Sequence, residues 1–158
     1  MPGIYWRIPM SDFLHIVCPH CATVNRLQAE RLNEQPSCGK CSRAIFTAKP
    51  VEVDRDGFTK HVTRNDIPVL VDFWAPWCGP CLTMAPAYEE AAQRLEPRFR
   101  LLKLDTEKAQ DLATRYSIRS IPTLALFING REVARQAGAM NAGRIIAWAQ
   151  SQARTQPA

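Results

Sequence analysis

The 158-residue chain has no stretch approaching 18 consecutive apolar residues, so no transmembrane helix is expected. It has no run of five like charges, no low-complexity tract and no long internal repeat, so no nucleic-acid-binding tail is indicated. The first ten residues hold one basic residue, Arg7, beside Pro2, Gly3 and Pro9, and no apolar core ending in a small-residue cleavage site. The missing export signal points to the cytoplasm. Thiols are kept reduced there, and paired cysteines read as metal or catalytic sites rather than structural disulfides. No Gly-x-Gly-x-x-Gly fingerprint occurs, so the chain itself is expected to bind no flavin or nicotinamide. Met10 before Ser11-Asp12 fits an alternative start, which would make residues 1–10 a non-native extension.

What is present suits a folded protein. Hydrophobic residues make up 46% and charged residues 22%, enough to bury a core. The net charge of +5 is spread out: six Lys/Arg face three Asp/Glu in residues 1–50, and fourteen face twelve thereafter. Four thiolates around one Zn²⁺ would reduce it further, so a basic pI does not by itself call for an anionic partner.

The six cysteines form three pairs of identical spacing: Cys18-Pro-His-Cys21, Cys38-Gly-Lys-Cys41 and Cys78-Gly-Pro-Cys81. The first two lie in a segment short of apolar runs, and the third lies in the most apolar part of the chain. Composition changes near Lys49-Pro50, which divides the chain into residues 11–49 and 50–158. After that point strands and helices alternate. Val51–Val53, Pro68–Ala75, Phe99–Leu104, Thr123–Ile128 and Glu132–Gln136 read as strands, the last two joined at Asn129-Gly130. Gly57–Arg64, Cys81–Leu95, Glu107–Tyr116 and Asn141–Ser151 read as helices, and Pro86 should kink the second of these. This order implies an α/β fold, a mixed sheet with helices on both faces.

Trp77-Cys78-Gly79-Pro80-Cys81 follows a buried strand and opens a helix. Unpaired N–H groups and the positive end of the macrodipole stabilise an anion there. The thiolate is the reactive form of cysteine, so Cys78 is the expected nucleophile and Cys81, one turn further in, the resolving thiol. Asp72 sits in an otherwise apolar strand, where desolvation should raise its pKa. Trp77 beside the nucleophile is expected to shape a docking surface.

Phe73-Trp74-Ala75-Pro76-Trp77-Cys78-Gly79-Pro80-Cys81 resembles the active-site stretch of the thioredoxin family. The likeness covers roughly residues 51–152, and takes in Asp72, Pro86, Lys103, Ile121-Pro122-Thr123, Asn129-Gly130 and Gly138. It implies a thioredoxin fold and a thiol–disulfide oxidoreductase that reduces disulfides in cytoplasmic proteins. By that resemblance Asp72 helps move the proton of Cys81, and Lys103 is its basic partner. Pro122 would be a cis-proline that, with Ile121, Gly138, Trp77, Gly79 and Pro80, seats the substrate. An NADPH-dependent flavoprotein, thioredoxin reductase, would supply electrons. Leu82 departs from the family, standing where many thioredoxins carry a basic residue.

Cys18-x₂-Cys21-x₁₆-Cys38-x₂-Cys41 has four-cysteine zinc spacing. Four thiolates close a tetrahedral site, so one structural zinc per chain is expected, supplying folding free energy to a segment too short to fold well on a core alone. Redox activity of these pairs, or His15 or His20 replacing a cysteine ligand, are the other readings; His61 is expected at the surface. A zinc ribbon ahead of such a domain resembles the bacterial thioredoxin 2 subfamily. A monomer is expected, with disulfide-bearing target proteins as partners. The rival functions are a nucleic-acid-binding ribbon on a thioredoxin scaffold, and a disulfide oxidase or isomerase. Residues 11–50 lack a basic, aromatic-rich stripe, and no export signal leads to an oxidising compartment.

Overall fold

The computed structural model describes residues 13–156, so residues 1–10 and their proposed alternative start lie outside the described residues. The chain opens with an antiparallel hairpin, β1 (Phe13–Val17) and β2 (Val24–Gln28), paired from Phe13↔Gln28 to Val17↔Val24. Its turn is the first cysteine knuckle. A 3-10 turn, Ala29–Glu34, leads to the second knuckle, closed by a single bridge between Ser37 and Ala44. Leu14, Ile16, Ala29, Leu32 and Ile45 form a small core there, completed by Ile67 from the following domain.

β3 (Val51–Val53) then begins a five-stranded sheet. α1 (Arg55–Arg64) starts where Asp54 accepts a hydrogen bond from the Gly57 amide, an N-cap two residues earlier than periodicity alone suggests. β4 (Val69–Trp74), α2 (Gly79–Leu95), β5 (Arg100–Asp105), α3 (Gln110–Arg115), β6 (Thr123–Ile128), β7 (Arg131–Ala137) and α4 (Ala142–Arg154) follow. The strand order is β3-β5-β4-β6-β7, with β3, β5 and β4 parallel and β6 and β7 antiparallel. The β6–β7 turn needs left-handed backbone twice, and Asn129 (φ 53°) and Gly130 (φ 81°) supply it.

β4 lies in the middle of the sheet and is buried on both faces, as its apolar run predicts. Alternation sorts its side chains. Val69, Val71 and Phe73 join the core under α1 and α3, whereas Leu70 joins the core under α2 and α4. Asp72 shares the Leu70 face, so its carboxyl points into the layer beneath α2. Lys103 is its cross-strand neighbour on β5.

The ribbon docks against the end of the sheet opposite the cysteine pair of α2. The Val17 amide donates to Asn65 Oδ1 at 2.8 Å, and the Asp66 amide donates to the His15 carbonyl at 2.8 Å. Asn65 also pairs with His61 Nδ1 at 3.0 Å. His61 is therefore buried, contrary to the expectation of a surface residue. Burial, then the nearby Arg100 and Lys60 charges, hold its pKa down at about 3.

Candidate active site and metal centre

Cys78 is the N-cap of α2, and Pro80 falls in the first turn, where a missing N–H costs nothing. The Cys81 amide donates to Cys78 Sγ at 3.2 Å. The two cysteines form a disulfide, with Cα atoms 5.2 Å apart. Cys78 Sγ also lies 3.7 Å from the Ile121 carbonyl oxygen. Ala75, Trp74 and Ile121 pack around the pair. Thr106 fixes the strand end that delivers it, donating from both its amide (2.8 Å) and its hydroxyl (3.1 Å) to the Trp74 carbonyl.

The Ile121-Pro122 bond is cis. The Gly138 amide donates to the Pro122 carbonyl at 2.9 Å, and Gly138 sits at φ 97°, where a side chain would strain the backbone. The fold thus brings Ile121, Pro122 and Gly138 to one loop cluster, with Ile121 against Cys78. Trp77 stands open to solvent beside them.

Behind the disulfide, Asp72 is 1% exposed and its Oδ1 has no hydrogen-bond partner. Burial raises its pKa to about 7, with Lys103 opposing weakly. The Lys103 ammonium lies 4.3 Å from the centre of the Trp74 ring, a cation–π contact that orients it beside the site. Trp74 Nε1 is a second buried atom without a partner.

The amino-terminal cysteines converge. Cys18 and Cys41 sulfurs are 3.7 Å apart, those of Cys21 and Cys38 are 3.6 Å apart, and all four lie within 4.8 Å of one another. A tetrahedron with metal–sulfur bonds of about 2.3 Å has edges of about 3.8 Å, so the four thiols fit one tetrahedral ion. The two knuckles repeat each other. His20 N–H donates to Cys18 Sγ (3.3 Å) and Lys40 N–H to Cys38 Sγ (3.4 Å). Asn25 braces the second knuckle, accepting from the Gly39 amide (2.8 Å) and donating to Cys38 Sγ (3.5 Å). Donors aimed at a sulfur favour its thiolate and tune a bound metal. The Cys41 and Lys40 amides and the Asn25 amide pull the Cys38 thiol down to about 6. His20 and His15 are engaged elsewhere, at the Ala44 carbonyl and at Asp66. Asn25 has no spacing signature and was not legible as a site residue.

A cysteine pair capping a helix, at the carboxyl end of the sheet's middle strand and above a buried carboxyl, defines a dithiol–disulfide exchange site. The thioredoxin family model matches residues 49–151, and the model described as "Thioredoxin 2, N-terminal", a zinc ribbon, matches residues 17–43. The chain is 38% identical to thioredoxin C-3 of Corynebacterium nephridii over 141 residues, covering 89% of this chain and 97% of that one. It is 45% identical to thioredoxin 1 of a Nostoc species over 89 residues, 56% of this chain and 83% of that one. A Halobacterium salinarum thioredoxin variant superposes with a TM-score of 0.61 at 31% identity, covering 70% of this chain and 96% of that one. The chain belongs to the thioredoxin family. It is a thioredoxin-type disulfide oxidoreductase carrying an amino-terminal module of the zinc-ribbon family, whose four cysteines cluster as a candidate metal site. Its partners, as for the family in general, are a reducing donor and proteins bearing disulfides. No helix among the described residues is long and apolar enough to cross a membrane.

Proposed function

We propose that the chain reduces disulfides of cytoplasmic proteins through Cys78 and Cys81, within a catalytic domain of residues 50–158. The Cys78 thiolate attacks one sulfur of a target disulfide and forms a mixed disulfide. The other target sulfur leaves as a thiolate and takes a proton from solvent. Cys81 then gives its proton to the Asp72 carboxylate and attacks Cys78, which releases the second target thiolate and closes the Cys78–Cys81 disulfide. Two electrons pass to the target. An NADPH-dependent flavoprotein reductase returns them.

The observation that carries this reading is the position of Cys78 as the cap of α2, with the Cys81 amide on its sulfur. That placement favours the thiolate. Asp72, buried and raised to about 7, can hold or release a proton at working pH. Lys103 lies on the same sheet face and tempers that shift. Trp77, Gly79, Pro80, Ile121, Pro122 and Gly138 offer the surface against which a target segment lies. We read residues 11–49 as a ribbon whose Cys18, Cys21, Cys38 and Cys41 hold one zinc, with no open coordination position and no part in electron transfer.

The decisive test uses two variants. Cys78→Ser should abolish reduction of a protein disulfide. Cys81→Ser should perform one attack and trap the mixed disulfide as a covalent adduct of target and chain. Steady turnover by Cys78→Ser would refute the mechanism. Metal analysis should give one zinc per chain, retained in a chain with both Cys78 and Cys81 changed to Ser.

A further inference from the structure

Among the described residues the large apolar side chains most open to solvent are Phe13, Trp77 and Leu82, and two of these three bracket the nucleophile. Trp77 is 67% exposed and Leu82 53%, whereas Cys78 between them is 5% exposed. Single exposed apolar residues are ordinary. Here the pair falls at positions i−1 and i+4 of one reactive cysteine. Residue i+4 stands one turn above the N-cap on the same side of the helix, so Leu82 rises beside Cys78.

The charges around this pair are distributed unevenly. Gly79, Pro80 and Thr83 on α2, and Gly138 and Ala139 across from it, are exposed and uncharged. The first turn of α2 has no acidic residue. On its other side Trp77 borders a groove of about 370 Å³ that contains Glu107, Gln110, Arg119 and Ser120. One flank of the tryptophan therefore carries charge, whereas the exposed residues around Leu82 are uncharged.

We propose that Leu82 is a specificity-determining residue: with Trp77 it forms an apolar shelf beside Cys78 that takes target disulfides flanked by apolar side chains. The proposal rests on Cys78 being the attacking thiol. Water leaves Leu82 and the target's apolar side chain when they meet, which favours the encounter. A carboxylate at the same place in a target would lose hydration and find no cation on the shelf. Leu82 does not touch the reacting sulfurs, so it acts on docking more than on exchange.

Two synthetic cyclic peptides test this, each closed by one disulfide, one with Leu and one with Glu beside each cysteine. The wild-type chain should reduce the Leu peptide with a kcat/KM on the order of tenfold above the Glu peptide. Leu82→Ala should collapse that ratio, mainly through KM, and Leu82→Met should restore it. Leu82→Lys should turn the preference towards the Glu peptide. The pH dependence of Cys78 alkylation should not move in Leu82→Ala, which separates docking from thiol activation. Equal rates for both peptides in the wild type, or a ratio unmoved in Leu82→Ala and Leu82→Lys, would overturn the proposal. Failure of the wild-type chain to reduce either peptide, or any protein disulfide, would instead remove the underlying oxidoreductase mechanism.

Discussion

Asp72 is the residue at which burial and chemistry pull against each other. Burial penalises the charged form more than Lys103 compensates it, and pushes the carboxyl from the ordinary carboxylate range of about pH 4 up to about 7. Between those values the folded chain holds the proton more tightly than the unfolded chain. The stability this contributes is full below about pH 4 and is lost as pH rises through about 7. Above that the fold carries a buried carboxylate with Oδ1 unpartnered. Asp72→Asn should therefore stabilise the chain at pH 8, by up to about 4 kcal/mol, and leave it little changed at pH 4. Urea unfolding at the two pH values checks this; equal stability of the two forms at pH 8 would mean that Asp72 ionises freely. The same variant should slow turnover and lose the rate step near pH 7, since an amide cannot accept the Cys81 proton.

At the scale of elements, much of the fold was legible. The apolar run 68–75 predicts a strand buried on both faces, and β4 is one. The strand–helix alternation after residue 50 predicts the observed order, with errors confined to ends. Glu107 to Lys108, for example, belong to a turn before α3 rather than to the helix. The convergence of the four ribbon cysteines and the placement of Cys78 and Cys81 at the start of α2 were legible because spacing and flanking residues encode them locally. The hairpin β1–β2 was not. Val24-Asn25-Arg26-Leu27-Gln28 mixes polar and apolar residues without a clear period, and its pairing depends on the knuckle and on Ile67 from a distant segment. His61 was missed for the same reason, but Arg100 was legible. Arg100 stands between Phe99 and Leu101, a charge inside an apolar strand, and the argument that singles out Asp72 applies to it equally. The knuckles carry their own strain. Ala22 (φ 64°) and Ser42 (φ 68°) occupy equivalent left-handed positions four residues after the first cysteine of each pair. Ala22→Gly and Ser42→Gly should each stabilise the ribbon, by up to about 1 kcal/mol, since only glycine adopts this conformation freely. The chelator concentration needed to strip the metal reads it out, and a lower requirement in both variants would contradict the argument.

At the scale of the whole molecule, one buried side chain joins ribbon to sheet. The Arg100 guanidinium has no exposed surface. Its Nη2 donates to the carbonyls of Val17 (2.9 Å) and Ile45 (3.0 Å), and its Nη1 to Glu96 Oε2 (3.3 Å). Glu96 Oε1 in turn accepts from the Ala48 amide at 2.8 Å. Val17 immediately precedes Cys18 of the first knuckle, and Ile45 follows the knuckle of Cys41. A metal at the four cysteines would hold the ribbon together, and Arg100 with Glu96, beside the Asn65 and Asp66 hydrogen bonds, holds the ribbon to the sheet. Removing one member of a buried ion pair strands the other, at a cost of about 3–5 kcal/mol. Arg100→Met should cost that much, and adding Glu96→Gln should recover part of it by removing the stranded carboxylate. Calorimetry distinguishes coupling from mere proximity. In the wild-type chain, ribbon and sheet should melt in one transition that a chelator lowers, because metal bound only to the folded ribbon stabilises everything docked to it. In Arg100→Met the scan should split, with the chelator acting on the ribbon's transition and leaving that of the sheet in place. Two transitions already present in the wild type, with the upper one indifferent to metal, would mean that the ribbon is a passenger on the fold rather than part of its cooperative unit.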